Sequence, residues 1–317
     1  MAETKVGGGG KQEKYDPETG KYVKSNKDNF IEQKITTPYF NEHINNKLLA
    51  ALNKKNFNMI DRIDTNVTRE EDRQGIDARM YFKTELGREP MSIDLKVMTG
   101  KLGKGEDVPE GYDFIIRKQD DHSGEDVVNA TLLKDNLTDC YVISYYKSYK
   151  KKKFFNKEER KDDILGSYSV FVLKDDLYKT VANKYKCGLE EVKTKLQTEA
   201  DELINLEKQI NEGNEKPKYL ERPDGIYKIY YDDNNPNKVY KIKKRGKYFD
   251  YSLAYNERNQ VNVKVNIKFA DMLNHTDSVE VDEMENRRLY ESMGMSEKDI
   301  RYKTQEERIK EAMGLWK

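Results

Sequence analysis

Three ionisable residues in one short stretch have types and spacing suited to metal-assisted chemistry: Asp77, Asp94 and Lys96. They belong to two runs that alternate strictly. In the first, Ile76, Ala78, Met80 and Phe82 are apolar while Asp77, Arg79 and Tyr81 lie between them. In the second, Met91, Ile93, Leu95 and Val97 alternate with Ser92, Asp94 and Lys96. A period of two marks a half-buried strand, so all three ionisable residues share the face opposite an apolar stripe. A turn at Leu86-Gly87 makes the runs a hairpin with Asp77 opposite Lys96 and Arg79 opposite Asp94. Cross-strand neighbours lie roughly 5 Å apart and diagonal ones about 7–8 Å. Two carboxylates therefore come within reach of one divalent ion, with an ammonium beside them. Hard oxygen ligands hold Mg²⁺ (or Mn²⁺) while leaving waters on it. Such an ion polarises a phosphate and makes water a better nucleophile, and a lysine stabilises the charge that develops. This is what phosphodiester hydrolysis requires. The plainer reading of the same residues is an exposed hairpin face carrying ordinary ion pairs, which add little stability.

The elements around the hairpin follow from periodicity. Thr37 and Pro38 suit the first turn of a helix, and Phe40, Ile44, Leu48 and Leu52 then recur every four residues to a helix end near Lys54. Phe57 to Ile63 reads as a strand, as do Asp113 to Arg117, Tyr141 to Tyr146 and Tyr168 to Leu173. Residues 176–211 read as helical. Residues 226–269 are β-rich, with a turn at 232–237, and residues 283–317 read as amphipathic helices. The fold class expected is α/β (α+β): a central mixed sheet flanked by helices, a β-rich C-terminal segment and terminal helices. The segments are a flexible tail over 1–30, an α/β core over 31–212, a β-rich accessory segment over 218–280 and a helical tail over 281–317. The tail reading rests on the four glycines 7–10 and the turn signals Asp16-Pro17 and Thr19-Gly20.

Gly75-Ile76-Asp77 followed by Ile93-Asp94-Leu95-Lys96 resembles the PD-(D/E)XK nuclease superfamily, over roughly residues 38–146. The order helix, strand, strand with Asp, strand with D-x-K matches the family, and Ile76 stands where the motif usually has proline. The resemblance implies that Asp77 and Asp94 are metal ligands, that the Leu95 carbonyl is a third, and that Lys96 orients the attacking water. Glu42 is the best match for the acid that the family's N-terminal helix often adds, with Glu71 as a rival. The activity implied is metal-dependent cleavage of nucleic acid, DNA above all, in a phage or restriction setting.

Composition bounds the partners. The chain has 58 Lys+Arg and 58 Asp+Glu among 317 residues, so bulk charge does not coat it onto nucleic acid, and contact must come from local patches. Two are evident. Lys150, Lys151, Lys152 and Lys153 run into Phe154-Phe155, pairing charge with rings that can stack on bases. Lys241 to Lys247 forms the other, with Lys243, Lys244 and Arg245 at its centre. Either also fits a solvated hairpin tip. Cys140 and Cys187 match no disulfide or zinc pattern, and His43, His122 and His275 have no metal-ligand spacing. No secretory h-region and no apolar run of membrane length occur, so a cytoplasmic protein is expected. The C-terminal helices suggest self-association or a protein partner. The alternative to a nuclease is a non-catalytic nucleic-acid-binding or assembly protein of a phage or mobile element.

Overall fold

The computed structural model describes residues 14–16, 21–23, 37–55, 59–68, 70–71, 75–84, 87–101, 108–120, 132–133, 138–148, 164–233, 235–256 and 260–282. The basic run Lys150–Lys153 with Phe154, and the expected helices over 283–317, lie outside them. Within the segment read as a tail, β1 (Lys14–Asp16) and β2 (Lys21–Val23) pair antiparallel, with Tyr15 opposite Tyr22.

The fold is mixed α+β and strand-rich. Its first helix opens with a π-helical turn, Phe40–Ile44, and continues as α1, Asn45–Lys55. The strands β3 (Ile60–Asp64), β4 (Ala78–Phe82) and β5 (Met91–Lys101) form an antiparallel meander. The chain then leaves through β6 (Gly111–Asp120) and returns as β7 (Cys140–Ser148), parallel to β5. A parallel pair needs such a crossover, because its strands run the same way. Next come β8 (Ile164–Leu173), α2 (Lys174–Tyr185) and α3 (Leu189–Glu212). A second meander follows: β9 (Tyr219–Arg222), β10 (Gly225–Asp232), β11 (Asn235–Gly246), β12 (Asp250–Tyr255) and β13 (Gln260–Lys268). The described chain closes with α4 (Phe269–Leu273) and β14 (Val279–Asp282).

Two six-stranded sheets result, ordered β14-β8-β7-β5-β4-β3 and β6-β13-β12-β11-β10-β9. They do not keep to separate stretches of sequence. β6, from the first half of the chain, completes the second sheet, while β14, from near its end, completes the first. The apolar stripe Phe40, Ile44, Leu48 and Leu52 is buried on one face of the first sheet, against Ile60, Ala78, Met80, Ile93, Val142 and Phe171. The other face carries Tyr141, Ile143, Val170 and Val172 into a second core. There α2 and α3 bring Leu177, Val181, Val192, Leu196 and Leu203 against Ile242, Leu253, Val263 and Val265 of the second sheet. Burial of this size, at about 25 cal/mol per Å² of apolar surface, is what holds helices and sheets together. Cys140 and Cys187 are free thiols. Among the described residues no helix is long and apolar enough to cross a membrane.

Candidate metal centre on the first sheet

The site begins at a turn. Gly75 has φ +84°, a left-handed conformation that a residue with a Cβ adopts only at a cost. Thr138 Oγ1 donates to the Gly75 carbonyl at 3.2 Å, tying this turn to the start of β7. Ile76 then drops its side chain into the core while its N–H donates to the Glu71 carbonyl at 3.0 Å. Asp77 follows with its N–H on the Ile93 carbonyl at 2.8 Å. On the neighbouring strand, Asp139 fixes Ser92, accepting from its N–H and its hydroxyl at 2.7 Å each, and so anchors the start of β5 beside β7.

The hairpin register differs from the one expected. Ala78 faces Ile93, Arg79 faces Ser92 and Met80 faces Met91. Extending that ladder by one residue sets Asp77 against Asp94, not Lys96. Pairing starts at Met91, directly after Pro90, which has no N–H for the ladder, and Gly87 before it takes a φ of +56°. Both expected cross-strand ion pairs are thereby replaced. Lys96 Nζ pairs with Asp94 on its own strand at 2.6 Å, and Arg79 pairs with Glu71 at 2.7 Å.

The new register brings two carboxyl groups face to face. Asp94 is 5% exposed and Asp77 beside it is half-buried. Asp77 also accepts the Leu95 N–H at 2.8 Å. Packed atoms desolvate the Asp77 carboxyl, and Asp94 adds like charge, so Asp77 holds its proton far more tightly than an ordinary aspartate, to about pH 7. The Leu95 N–H and the Lys96 ammonium oppose that rise without cancelling it. Because the N–H and carbonyl of one strand residue leave on the same side, the Leu95 carbonyl opens toward the same edge as Asp77.

The other acids are held elsewhere. Glu71 forms a capping box with Thr68, accepting its N–H at 2.8 Å, and is also bound to Arg79. Those bonds hold its carboxyl down at about 2. Glu42 sits on the π-helical turn, 48% exposed and 3.7 Å from His43. Among the described residues no three Asp, Glu, His or Cys side chains converge as a metal-binding group, so neither Glu42 nor Glu71 is brought to the pair. The pair itself fits a cation: two neighbouring carboxyl groups, an ammonium on Asp94, and a carbonyl at the same edge.

The second basic patch is divided by strand alternation. Lys243 and Arg245 point outward, but Lys244 is only 2% exposed. It faces α3, where its Nζ meets Glu199 at 2.6 Å and Glu202 at 3.6 Å, and it meets Asp224 of the β9–β10 turn at 2.7 Å. These carboxylates raise its pKa well above that of an ordinary lysine, against the opposing effect of burial. Lys244 is therefore a structural cation and no nucleic-acid contact. The signal was present in the sequence: Lys244 shares parity with Ile242, which is fully buried. The Ser92–Asp139 clamp, by contrast, joins residues 47 apart and carries no motif.

Comparison with protein-family models, with curated proteins and with solved structures finds no match to this chain.

Proposed function

We propose that this chain is a divalent-metal-dependent nuclease that hydrolyses phosphodiester bonds, with DNA as its substrate. The observation that carries the reading is the buried Asp94 facing the half-buried Asp77 across the β4–β5 ladder, with Lys96 2.6 Å from Asp94. Like charges desolvated together are unfavourable without a counter-ion, and a site that keeps them together is suited to supplying one. The order helix, strand, Asp-bearing strand and D-x-K strand supports the resemblance to PD-(D/E)XK nucleases.

Asp77 and Asp94 would hold Mg²⁺ or Mn²⁺, with the Leu95 carbonyl as a third oxygen. When bound, the ion supplies positive charge at the phosphate and makes water nucleophilic at neutral pH. Asp77 must release its proton before it can act as a ligand, and the proximity of a cation favours that release. Lys96 holds Asp94 in place and presents an ammonium toward the scissile phosphate, stabilising the charge that gathers on the phosphoryl oxygens. Water adds to phosphorus, the ester P–O bond breaks, and the departing oxygen takes up a proton.

The test is cleavage of supercoiled, linear and single-stranded DNA with Mg²⁺ or Mn²⁺, beside Asp94→Asn. Metal-dependent cutting that falls at least roughly a thousandfold in the variant, about 4 kcal/mol of barrier, is the expected result. Equal activity in the variant, or no cutting by a folded wild type, overturns the proposal and favours a binding or assembly role.

A further inference from the structure

The second sheet buries only one face against α3. Its other face is a lattice of lysines and tyrosines, set by register. Tyr219 of β9 faces Lys228 of β10, Lys228 faces Lys243 of β11, Lys243 faces Ser252 of β12, and Ser252 faces Lys264 of β13. One row across five strands thus presents three ammonium groups and a ring. Among the described residues, none of Lys228, Lys243 and Lys264 forms an ion pair, in contrast to Lys244 on the buried side. The tyrosines are open: Tyr219 is 62% exposed and Tyr240, at the bulge in β11, is 42% exposed. Tyr230 meets Tyr240 edge-on at 6.2 Å, and the Lys228 ammonium lies 5.7 Å from the Tyr219 ring and 5.2 Å from the Tyr230 ring.

We propose that this open face of the second sheet binds single-stranded nucleic acid, with Lys228, Lys243 and Lys264 on its phosphates and Tyr219 and Tyr240 stacked on its bases. Two features select that occupant. Unpaired lysines one and two strands apart, at about 4.8 Å per strand, complement a repeating anion. Exposed rings beside them offer flat surfaces to bases, which only an unpaired strand can present, because a duplex keeps its bases stacked inside. An acidic peptide satisfies the lysines and leaves the rings unused. The surface stands apart from the Asp77–Asp94 pair, so its binding does not depend on cleavage.

The test is fluorescence anisotropy with the full chain in EDTA, which removes any contribution from the metal centre. The probes are labelled oligo-dT and oligo-U of about 15 nucleotides, a length within one binding face of this kind, and a duplex of equal length. The single strands are expected to bind more tightly than the duplex. Combined K228Q, K243Q and K264Q should weaken binding tenfold or more and reduce the salt slope of log K by about 0.7 per lysine. Tyr219→Ser should cost roughly tenfold with the slope unchanged. Lys195→Gln, exposed on α3, should change nothing. All these positions are on the surface, and an unchanged circular dichroism spectrum confirms folding. Wild-type affinity in the triple variant, tighter binding of the duplex, or equal competition by poly-glutamate overturns the proposal.

Discussion

Two regions of this protein bury charge, and they do so in opposite ways. At Lys244 a single ammonium is enclosed, while the carboxylates around it keep one side in water: Asp224 is 41% exposed and Glu202 52%. At Asp77 and Asp94 the carboxyl groups themselves are enclosed, and the single lysine beside them is 27% exposed. The first arrangement satisfies its buried charge and joins α3 to the second sheet. The second pairs the buried Asp94 with one lysine and sets beside it a carboxyl that keeps its proton to about pH 7, so no second cation balances Asp77 once it ionises. Buried charge alone is therefore no sign of a site; the sign is buried charge that the chain does not balance.

Three measurements sharpen or break that comparison. The largest effect is expected at Lys244. Lys244→Met keeps volume but leaves Glu199 and Asp224 facing each other, and should destabilise by about 2 kcal/mol. For a chain of this size that lowers Tm by about 3 °C. An unchanged Tm would mean the cluster holds nothing together.

Next is the response to metal. Millimolar Mg²⁺ should raise the Tm of the wild type, since a ligand present at ten times its Kd stabilises by about 1.4 kcal/mol. The gain should be larger at pH 8 than at pH 6, because Asp77 sheds its proton across that interval. Asp94→Asn should abolish it. A Tm shift of equal size in the variant would place the ion elsewhere.

The smallest effect belongs to Asp77→Asn in EDTA. Folding raises the Asp77 pKa from 3.8 to about 7. Between those values the unfolded chain binds fewer protons than the folded one, so this group lowers stability as pH rises and the loss is complete above about pH 7. Asn still accepts the Leu95 N–H. The variant should therefore match the wild type near pH 4 and exceed it by about 1 kcal/mol at pH 8, a Tm gain of about 1.5 °C. A variant less stable than wild type at pH 8 would show that Asp77 is balanced after all, like Lys244.

The elements nearest the site were legible because each rests on a local period. The stripe Phe40, Ile44, Leu48 and Leu52 is buried as its four-residue spacing predicts, although the helix opens with a π turn. Alternation located β4 and β5 to within a few residues, and it placed Asp77, Asp94 and Lys96 on one face, while β7 and β8 also lie where strands were expected. What it could not fix was the offset between strands. A shift of two residues keeps every side chain on its face, so the apolar pattern is equally satisfied by either register. The observed ladder decides between them, and with it whether Asp77 meets an ammonium or a carboxylate.

The sequence by itself determined the faces: which residues point together along each strand and helix, and that two aspartates and a lysine share one surface. Only the tertiary structure decided partners. Distant chain segments set the environment of each charge, as β7 does for Asp94 and α3 for Lys244. A side chain's facing is local to its backbone, whereas desolvation and pairing depend on what the rest of the chain brings within a few ångströms.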